Sequence, residues 1–534
     1  MPEYLAPGVY VEEVSSGIKP IEGVGTSTGA FVGRARKGPI NKPQLITNPT
    51  QFATVFGSLH QDFNLGYGVA NFFGEGGTRC YVVRVFKASS TTQDADRARF
   101  ISTDNKLRVL ALNEGLWGNN IFVQVEPPAF DPDDPGNLDG KFGLRVLYKK
   151  KADADLDPAA DVVEVFDSLS MKELTTDGLP NPFHIENQIN GKSAYIEVDD
   201  ITADTSPPAN FDPQPLTQGL DGAVLDSPTD FTGHSVNSPG VGLLAFDTVD
   251  DINIVAIPDL FHPGGLTRAE ARIATQDGIK YCEGRKDCFF VADCAPGLNP
   301  TQAREYKQAR GEFATNAGSA LNSSFGALYY PWVKIFDPLR GRAIDFPPSC
   351  SVAGIYSATD ISRGVHKAPA GIVEGRLKTA VGLERDVTKG EQETLNPNGV
   401  NVLRNFPESG LVVWGARTVS ADPEWKYINV RRLFLFMEES IDEGTQWVVF
   451  EPNDPALWAR IKQNIGAFLR IQWLEGKLVG LKEEEAFFVK CDEETNPPES
   501  VDLGRVITVI GVAPSKPAEF VIFRIMQKRP GANA

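Results

Sequence analysis

INIVAIP (Ile252–Pro258) is followed by TRAEARIATQDGIKYCEGR (Thr267–Arg285) and then by CFFVADC (Cys288–Cys294), and this succession decides the fold. The first and last are continuous apolar runs, the pattern of strands covered on both faces of a sheet. The segment between them reads as a helix with Thr267 as its N-cap. A second helical stretch, NPTQAREYKQARGEFATNAG, then leads into the strand-like GALYYPWVKI. Strand, helix, strand, helix, strand is the order of a parallel sheet with helices on its faces.

The same rhythm begins upstream. TGAFVG (Thr28–Gly33) and CYVVRVF (Cys80–Phe86) are short apolar strands, and a helix closed by glycines is expected around residues 62–74. Residues 21–95 and 241–370 are therefore expected to form one discontinuous α/β domain. Residues 96–240 interrupt it with loops rich in Asp, Pro and Gly, such as ADTSPPANFDPQP, and with short strands such as IFVQVE, FGLRVLY and SAYIEV. This is expected to be an inserted, outer β-rich domain. From residue 371 to 510 the pattern is α+β: LVVWGARTV and WVVFEP read as strands and VRRLFLFMEESI as a helix. The fold class expected is thus multidomain, α/β and α+β, with linker arms at residues 1–20 and 511–534.

Those arms are unusual. KPAEFVIFRI (Lys516–Ile525) looks like a buried strand at a chain end, where order and hydrophobicity normally fade. As an extended strand it would place Val521, Phe523 and Ile525 on one face and Phe520 and Ile522 on the other. Near the opposite end, APGVYVEEV alternates Val9 and Val11 with Tyr10 and Val14, again strand-like and too short to stand alone.

The chain has 534 residues and a net charge of −18. That length predicts two to four domains, and that charge argues against phosphate recognition, which needs a basic surface. No run approaches the roughly 20 apolar residues of a membrane helix, and the start, MPEYLAPGVYVEEV, lacks the basic and apolar regions of a signal peptide. A cytosolic origin is expected, and six cysteines fit that compartment. Cys282, Cys288 and Cys294 are each separated by five residues, a spacing that suits buried small hydrophobes better than a metal site.

Motifs that suggest chemistry fail on inspection. GTSTG (Gly25–Gly29) matches a nucleophile elbow around Ser27, but the strand follows the serine instead of preceding it. The same glycines lack the Lys-Ser/Thr of a phosphate loop. His60, His184, His234, His262 and His366 are scattered, with no pair at ligand spacing. DPDDPGNLDG resembles a calcium loop in content only, because Pro135 stands where an oxygen ligand is needed. No catalytic, cofactor-binding or metal residue is therefore assigned.

One helix stands out, beginning at NDPALWARIKQNIGAFLRIQWLEGKLVG. Asp454 is the natural N-cap and Pro455 the first helical residue. Leu457, Trp458, Ile461, Ile465, Phe468 and Leu469 fall on one apolar stripe about 120° wide, and Lys462, Arg470 and Lys477 gather beside it.

Long blocks across the chain, among them PGVYVEEV, STGAFVGRARKGPINKPQLITN, DINIVAIPD, SVAGIYSATDISRGVHKAPAG, GVNVLRNFPESGLVVWGART, DPEWKYINVRRLF and GTQWVVFEPNDPALWARI, resemble the contractile tail sheath protein family, with the β-rich insertion as the variable part. The resemblance implies a structural subunit rather than an enzyme. Such subunits stack as hexameric rings around an inner tube, on a baseplate and under a terminator or cap protein, and compaction drives the tube through a target envelope. It also implies that both arms add strands to neighbouring subunits, through Val9, Tyr10, Val11 and Val14 at one end and Phe520, Val521, Ile522, Phe523 and Ile525 at the other. The helix from Asp454 matches the family's tube-facing region, making Lys462, Arg470 and Lys477 candidate tube contacts. No cofactor and no direct nucleic-acid or membrane partner is implied. Assembly is expected in a bacterial cytoplasm, in a phage tail or a phage-tail-like particle. The residues alone leave open an α/β enzyme without a recognisable site, or a monomeric binding module whose last strand closes its own sheet.

Overall fold

The computed structural model describes residues 20–523, apart from 93, 129–139, 151–154, 176, 234–239 and 315–318. In chain order, β1 (Gly29–Gly33), β2 (Gln44–Ile46) and β3 (Cys80–Arg84) come first. The insertion supplies β4 (Arg99–Ile101), β5 (Leu107–Ala111), β6 (Ile121–Glu126), β7 (Lys141–Tyr148), β8 (Val162–Ser170), β9 (Ile196–Asp200) and β10 (Phe211–Pro215). Then follow β11 (Ile254–Ala256), β12 (Phe289–Asp293), β13 (Gly326–Tyr330), β14 (Val333–Asp337), β15 (Arg342–Phe346) and β16 (Ala380–Leu383). The last strands are β17 (Val400–Phe406), β18 (Gly410–Val413), β19 (Phe487–Lys490) and β20 (Val509–Val512).

Eight of these form the central sheet, in the order β18-β17-β13-β12-β11-β1-β3-β2. Its interior pairings are parallel, and only the outermost strands, β2 and β18, run antiparallel to their neighbours. The continuous apolar runs are explained by burial on both faces. On one side Val255, Phe290 and Ala292 pack with Ala274, Ile279 and Tyr306; on the other Ile254, Phe289 and Val291 pack with Val69, Phe72 and Tyr356.

The helices that cover the sheet begin where the sequence marks them. Helix α1 spans Asn64–Glu75 and ends at Gly76, whose φ of 112° needs a glycine. Helix α2, Arg268–Arg285, starts with a capping box between Thr267 and Glu270. Helix α3 is shorter than expected, Pro300–Gln308, because Ala309 turns left-handed. Helix α4, Ser349–Arg363, is buried along most of its length.

The insertion leaves after β3 and returns before β11. It builds a four-stranded sheet, β10-β6-β7-β8, and a three-stranded one, β4-β5-β9, around its own core of Trp117, Ile121, Val123, Phe142, Leu144 and Val198.

Three expectations are corrected beyond residue 371. The central sheet does not stop there: β17 pairs with β13 and β18 closes that edge, so the α/β body extends to Val413. LVVWGARTV is strand only over its first part. WVVFEP is not a strand; Gln446–Val448 is a single 3-10 turn, and Phe450 stands fully exposed at φ 69°. The run lacks a partner strand, and its Trp447 and Val448 pack sideways on the inner core instead.

That inner core is formed by α5 (Ile428–Thr445), α6 (Pro455–Leu474) and the hairpin β19–β20. Asp454 accepts a hydrogen bond from the Leu457 N–H at 2.7 Å, as an N-cap should. All six residues of the expected stripe are buried, joined by Leu433, Met437 and, from the opposite end of the chain, Ile21.

Candidate assembly interface

The crevice at the carboxyl ends of parallel strands is where α/β enzymes place their chemistry, and two buried carboxylates sit there. Asp259 follows β11 and accepts hydrogen bonds from the backbone N–H of Arg34 (2.7 Å) and Asn64 (2.6 Å), the latter opening α1. Asp293 ends β12 and accepts from the N–H of Ser349 at 2.8 Å, opening α4. Burial pushes them up to about 6 and about 7 respectively, against those hydrogen bonds. Gly33 makes room for the first, since a Cβ there would lie 2.3 Å from the Asp259 carboxylate. Both carboxylates are spent on capping helices and show no access to substrate. Ser27 lies in a segment without regular structure just before β1, not on a strand-to-helix turn. All six cysteines are buried free thiols, and no metal-holding group of three or more His, Cys, Asp or Glu occurs among the described residues. The aspartate-rich DPDDPGNLDG loop lies almost wholly outside the described residues, as do Val9, Tyr10, Val11, Val14 and Ile525.

The distinctive surface is at the arms. Phe520, Val521, Ile522 and Phe523 are 71, 69, 79 and 83% exposed, so neither face of this stretch is covered. Among the described residues it joins no sheet of its own chain.

Its root is fixed. The backbone is held at Ser515, whose N–H donates to the Lys477 carbonyl (3.1 Å) and whose carbonyl accepts from Asn429 Nδ2 (3.2 Å). Glu519 is then gripped by Arg417 Nε and Nη2 at 2.7 and 2.6 Å, by Asn396 Nδ2 at 2.7 Å, and by the Tyr427 hydroxyl at 3.2 Å, with Lys426 Nζ 3.4 Å away. Burial raises the pKa of Glu519, but the Arg417 and Asn396 hydrogen bonds and the nearby cations outweigh it and hold the carboxyl at about 2. The sequence did not reveal this anchor, because Arg417 and Asn396 lie about a hundred residues away and carry no motif. A lone carboxylate at the head of an apolar strand was the available signal.

The root of the other arm lies along α5. Ile21 is buried against Gly444, the Val24 N–H donates to Ser440 Oγ (3.1 Å), and Arg432 Nη2 donates to the Thr26 carbonyl (2.8 Å).

The antiparallel pair β19–β20 is a two-stranded sheet packed on α6, and the chain just after β20 continues it, with the Val479 N–H donating to the Ala513 carbonyl (2.8 Å). Phe488, Ile507 and Val509 on it and beside it are exposed.

On α6 the outward face carries Arg460, Lys462 and Arg470 and no acidic residue anywhere along the helix. Acidic residues of neighbouring segments face these cations: Glu451 lies 3.0 Å from Arg460, and Asp492, Glu493 and Glu494 line one shallow pocket with Lys462. Lys462 is exposed, and Arg470 is exposed with Glu483 3.5 Å away. Lys477 does not continue this edge. The helix ends at Leu474 and Gly476 turns back at φ 75°, so Lys477 Nζ bonds Gln472 Oε1 (2.6 Å) and Glu475 (2.7 Å) and lies 5.0 Å over the Phe436 ring. Beyond Arg470 the face becomes apolar, with Ile471, Leu474, Val479 and Leu481 exposed.

An uncovered apolar stretch on an anchored root, beside a two-stranded sheet with exposed apolar residues, is the kind of surface carried by structural proteins that assemble with other chains. Comparison with known proteins agrees. Residues 245–419 match the phage tail sheath protein central domain and residues 420–528 the phage tail sheath C-terminal domain. The chain belongs to the contractile tail sheath family. Relatives include the tail sheath protein of Vibrio phage KVP40, 29% identical over 37% of this chain and 29% of that protein, and that of Enterobacteria phage T4, 22% identical over 47% and 38%. A putative prophage major tail sheath protein of Pseudomonas aeruginosa is 24% identical over 49% of this chain and 67% of its own. The chain thus spans roughly a third of the length of the two phage relatives. The fold is shared with the contracted sheath of an extracellular contractile injection system (TM-score 0.57, 22% identity, 99% of both chains). It is shared also with the sheath tail protein of Listeria innocua (TM-score 0.60, 14% identity, 93% of this chain and 96% of that one).

Proposed function

We propose that this protein is the subunit of a contractile sheath, stacked as hexameric rings around an inner tube and compacting to drive that tube through a target envelope. The observation that carries this reading is the uncovered stretch Phe520–Phe523 on its fixed root. An apolar stretch exposed on all sides gains by entering a neighbour's sheet as a strand, where its backbone groups pair and its side chains leave water. The acceptor is the β19–β20 hairpin of the next copy, and the arm carrying Val9, Tyr10, Val11 and Val14 adds in the same way. Such head-to-tail contacts are heterologous and generate rings or helices.

Burying these four side chains contributes about 1.5–3 kcal/mol each, and each strand hydrogen bond about 0.5–1.5 kcal/mol. Association costs about 4–15 kcal/mol. One arm therefore holds weakly, and the lattice depends on both arms of every subunit acting together.

The tube faces α6. Lys462 and Arg470 meet an acidic surface on it, and Lys477 joins them only by leaving Glu475. A baseplate nucleates the stack and a terminator closes it, with assembly in a bacterial cytoplasm and the product part of a phage tail or phage-tail-like particle. Negative-stain electron microscopy of the full chain beside a chain ending at Glu519 tests this. The full chain should form striated hollow tubes and the shortened one should stay dispersed; dispersed full chain, or tubes from both, would reject the arm mechanism.

A further inference from the structure

Helix α5 carries the roots of both arms. Its beginning holds the C-terminal root through Tyr427, which caps it, and Asn429. Its later turns hold the N-terminal root through Arg432, Ser440 and Gly444, with Gly23 so close that a Cβ there would lie 2.9 Å from Phe436. An 18-residue helix is about 27 Å of stiff rod. Arg432 locks that rod to α4 through Asp360.

Between Ser515 and the uncovered strand, the backbone makes no further backbone hydrogen bond among the described residues. Over residues 516–519 it borders an open groove of about 1070 Å³, lined on the other side by Arg404, Phe406, Trp414 and Tyr427. Among the described residues, the side-chain hydrogen bonds of Glu519 are thus what hold a stretch that has no ladder. Arg417, which grips it, is itself locked: its backbone N–H donates to Asn401 Oδ1 (2.7 Å) and Nη1 to the Asn396 carbonyl (2.9 Å).

Resting on the sheath reading, we infer that Glu519 is a positioning residue: its clamp on Arg417 fixes the direction in which the C-terminal strand leaves the body. Through α5 that direction is set relative to the other arm. The two arms are then mounted at a constant angle, and a subunit that rotates in the stack carries both together. Without the clamp, residues 516–523 become a free eight-residue tether whose end wanders on the order of 15 Å.

Spin labels at Glu408→Cys and Phe523→Cys test this in the monomer, because the six native thiols are buried and do not compete. The distance distribution between the labels should be narrow in the parent and about twofold wider in Glu519→Ala, measured below the lowered melting temperature expected when Arg417 loses its partner, with circular dichroism showing the body still folded. The swap Arg417→Glu with Glu519→Arg should narrow it again. An equally narrow distribution in Glu519→Ala overturns the inference. In assembled material, Glu519→Ala should polymerise with irregular axial spacing, and spacing as regular as the parent's also overturns it. If neither protein polymerises, the sheath reading fails while the monomer distances still decide the clamp.

Discussion

Arg432 and Asp360 form an ion pair 2.6 Å apart with side chains only 3 and 2% exposed, joining α5 of the inner domain to α4 of the α/β body. Burial raises the Asp360 pKa despite the arginine, so the pair is held together against a desolvation cost. Removing one partner leaves a buried charge alone, which costs about 3–5 kcal/mol. Asp360→Ala should therefore lower stability by that amount in chemical denaturation of the monomer. The double change Asp360→Leu with Arg432→Met should be much milder, and equal losses in both would show that packing, not charge, is what the pair supplies.

The arm anchor has a defined pH range. Glu519 is held at about 2, below its ordinary 4.5. A depressed carboxyl contributes stability above its unfolded value and loses it as pH falls toward its folded value. The narrow label distance of the parent should persist at pH 5 and widen only as pH approaches 2, with circular dichroism confirming that the body is still folded. Widening near pH 5 would contradict the assigned clamp.

Glu439 on α5 behaves in the opposite sense. Burial, then the nearby Asp287, Glu443 and Asp251, push it up to about 8 against the pull of Arg285. A raised carboxyl stabilises the fold below its unfolded value and loses that contribution as pH rises from about 4.5 to 8. Glu439→Gln should match the parent at pH 5 and melt higher, by about 1–3 °C, at pH 9. A constant difference across that range would refute the assignment.

On α6 the two faces should separate cleanly. Phe468 is 2% exposed in the inner core, and Phe468→Ala should cost about 3–5 kcal/mol in denaturant unfolding. Charge reversal at Lys462 and Arg470 should change stability by less than about 0.5 kcal/mol yet weaken co-assembly with the tube. Normal extended particles from that variant would remove the tube contact from these residues.

What could be read from the sequence was local. The runs at β11, β12 and β13 and the capped helix α2 state their structure in residue order, as does the stripe Leu457 to Leu469 on α6. What could not be read depends on distant partners. Val400 pairs in register with Leu328, and nothing near either residue says so, which is why the body's boundary lay further along than expected. WVVFEP has the composition of a strand but no edge to join. Helical geometry extended past Leu474 puts Lys477 on the basic edge, but the chain turns there at Gly476. The arm's apolar character was legible; its anchor, two side chains from a separate segment closing on one carboxylate, was not.

In the proposed assembly, Phe520–Phe523 leaves its own body to become a strand in another. Hydrogen exchange on assembled and monomeric protein reads this directly, because an added strand hides its amides in a new ladder. Exchange should be fast over residues 520–523 in the monomer and strongly slowed in the polymer, with new protection along β19 or β20. A polymer in which these amides still exchange as fast as in the monomer would contradict it.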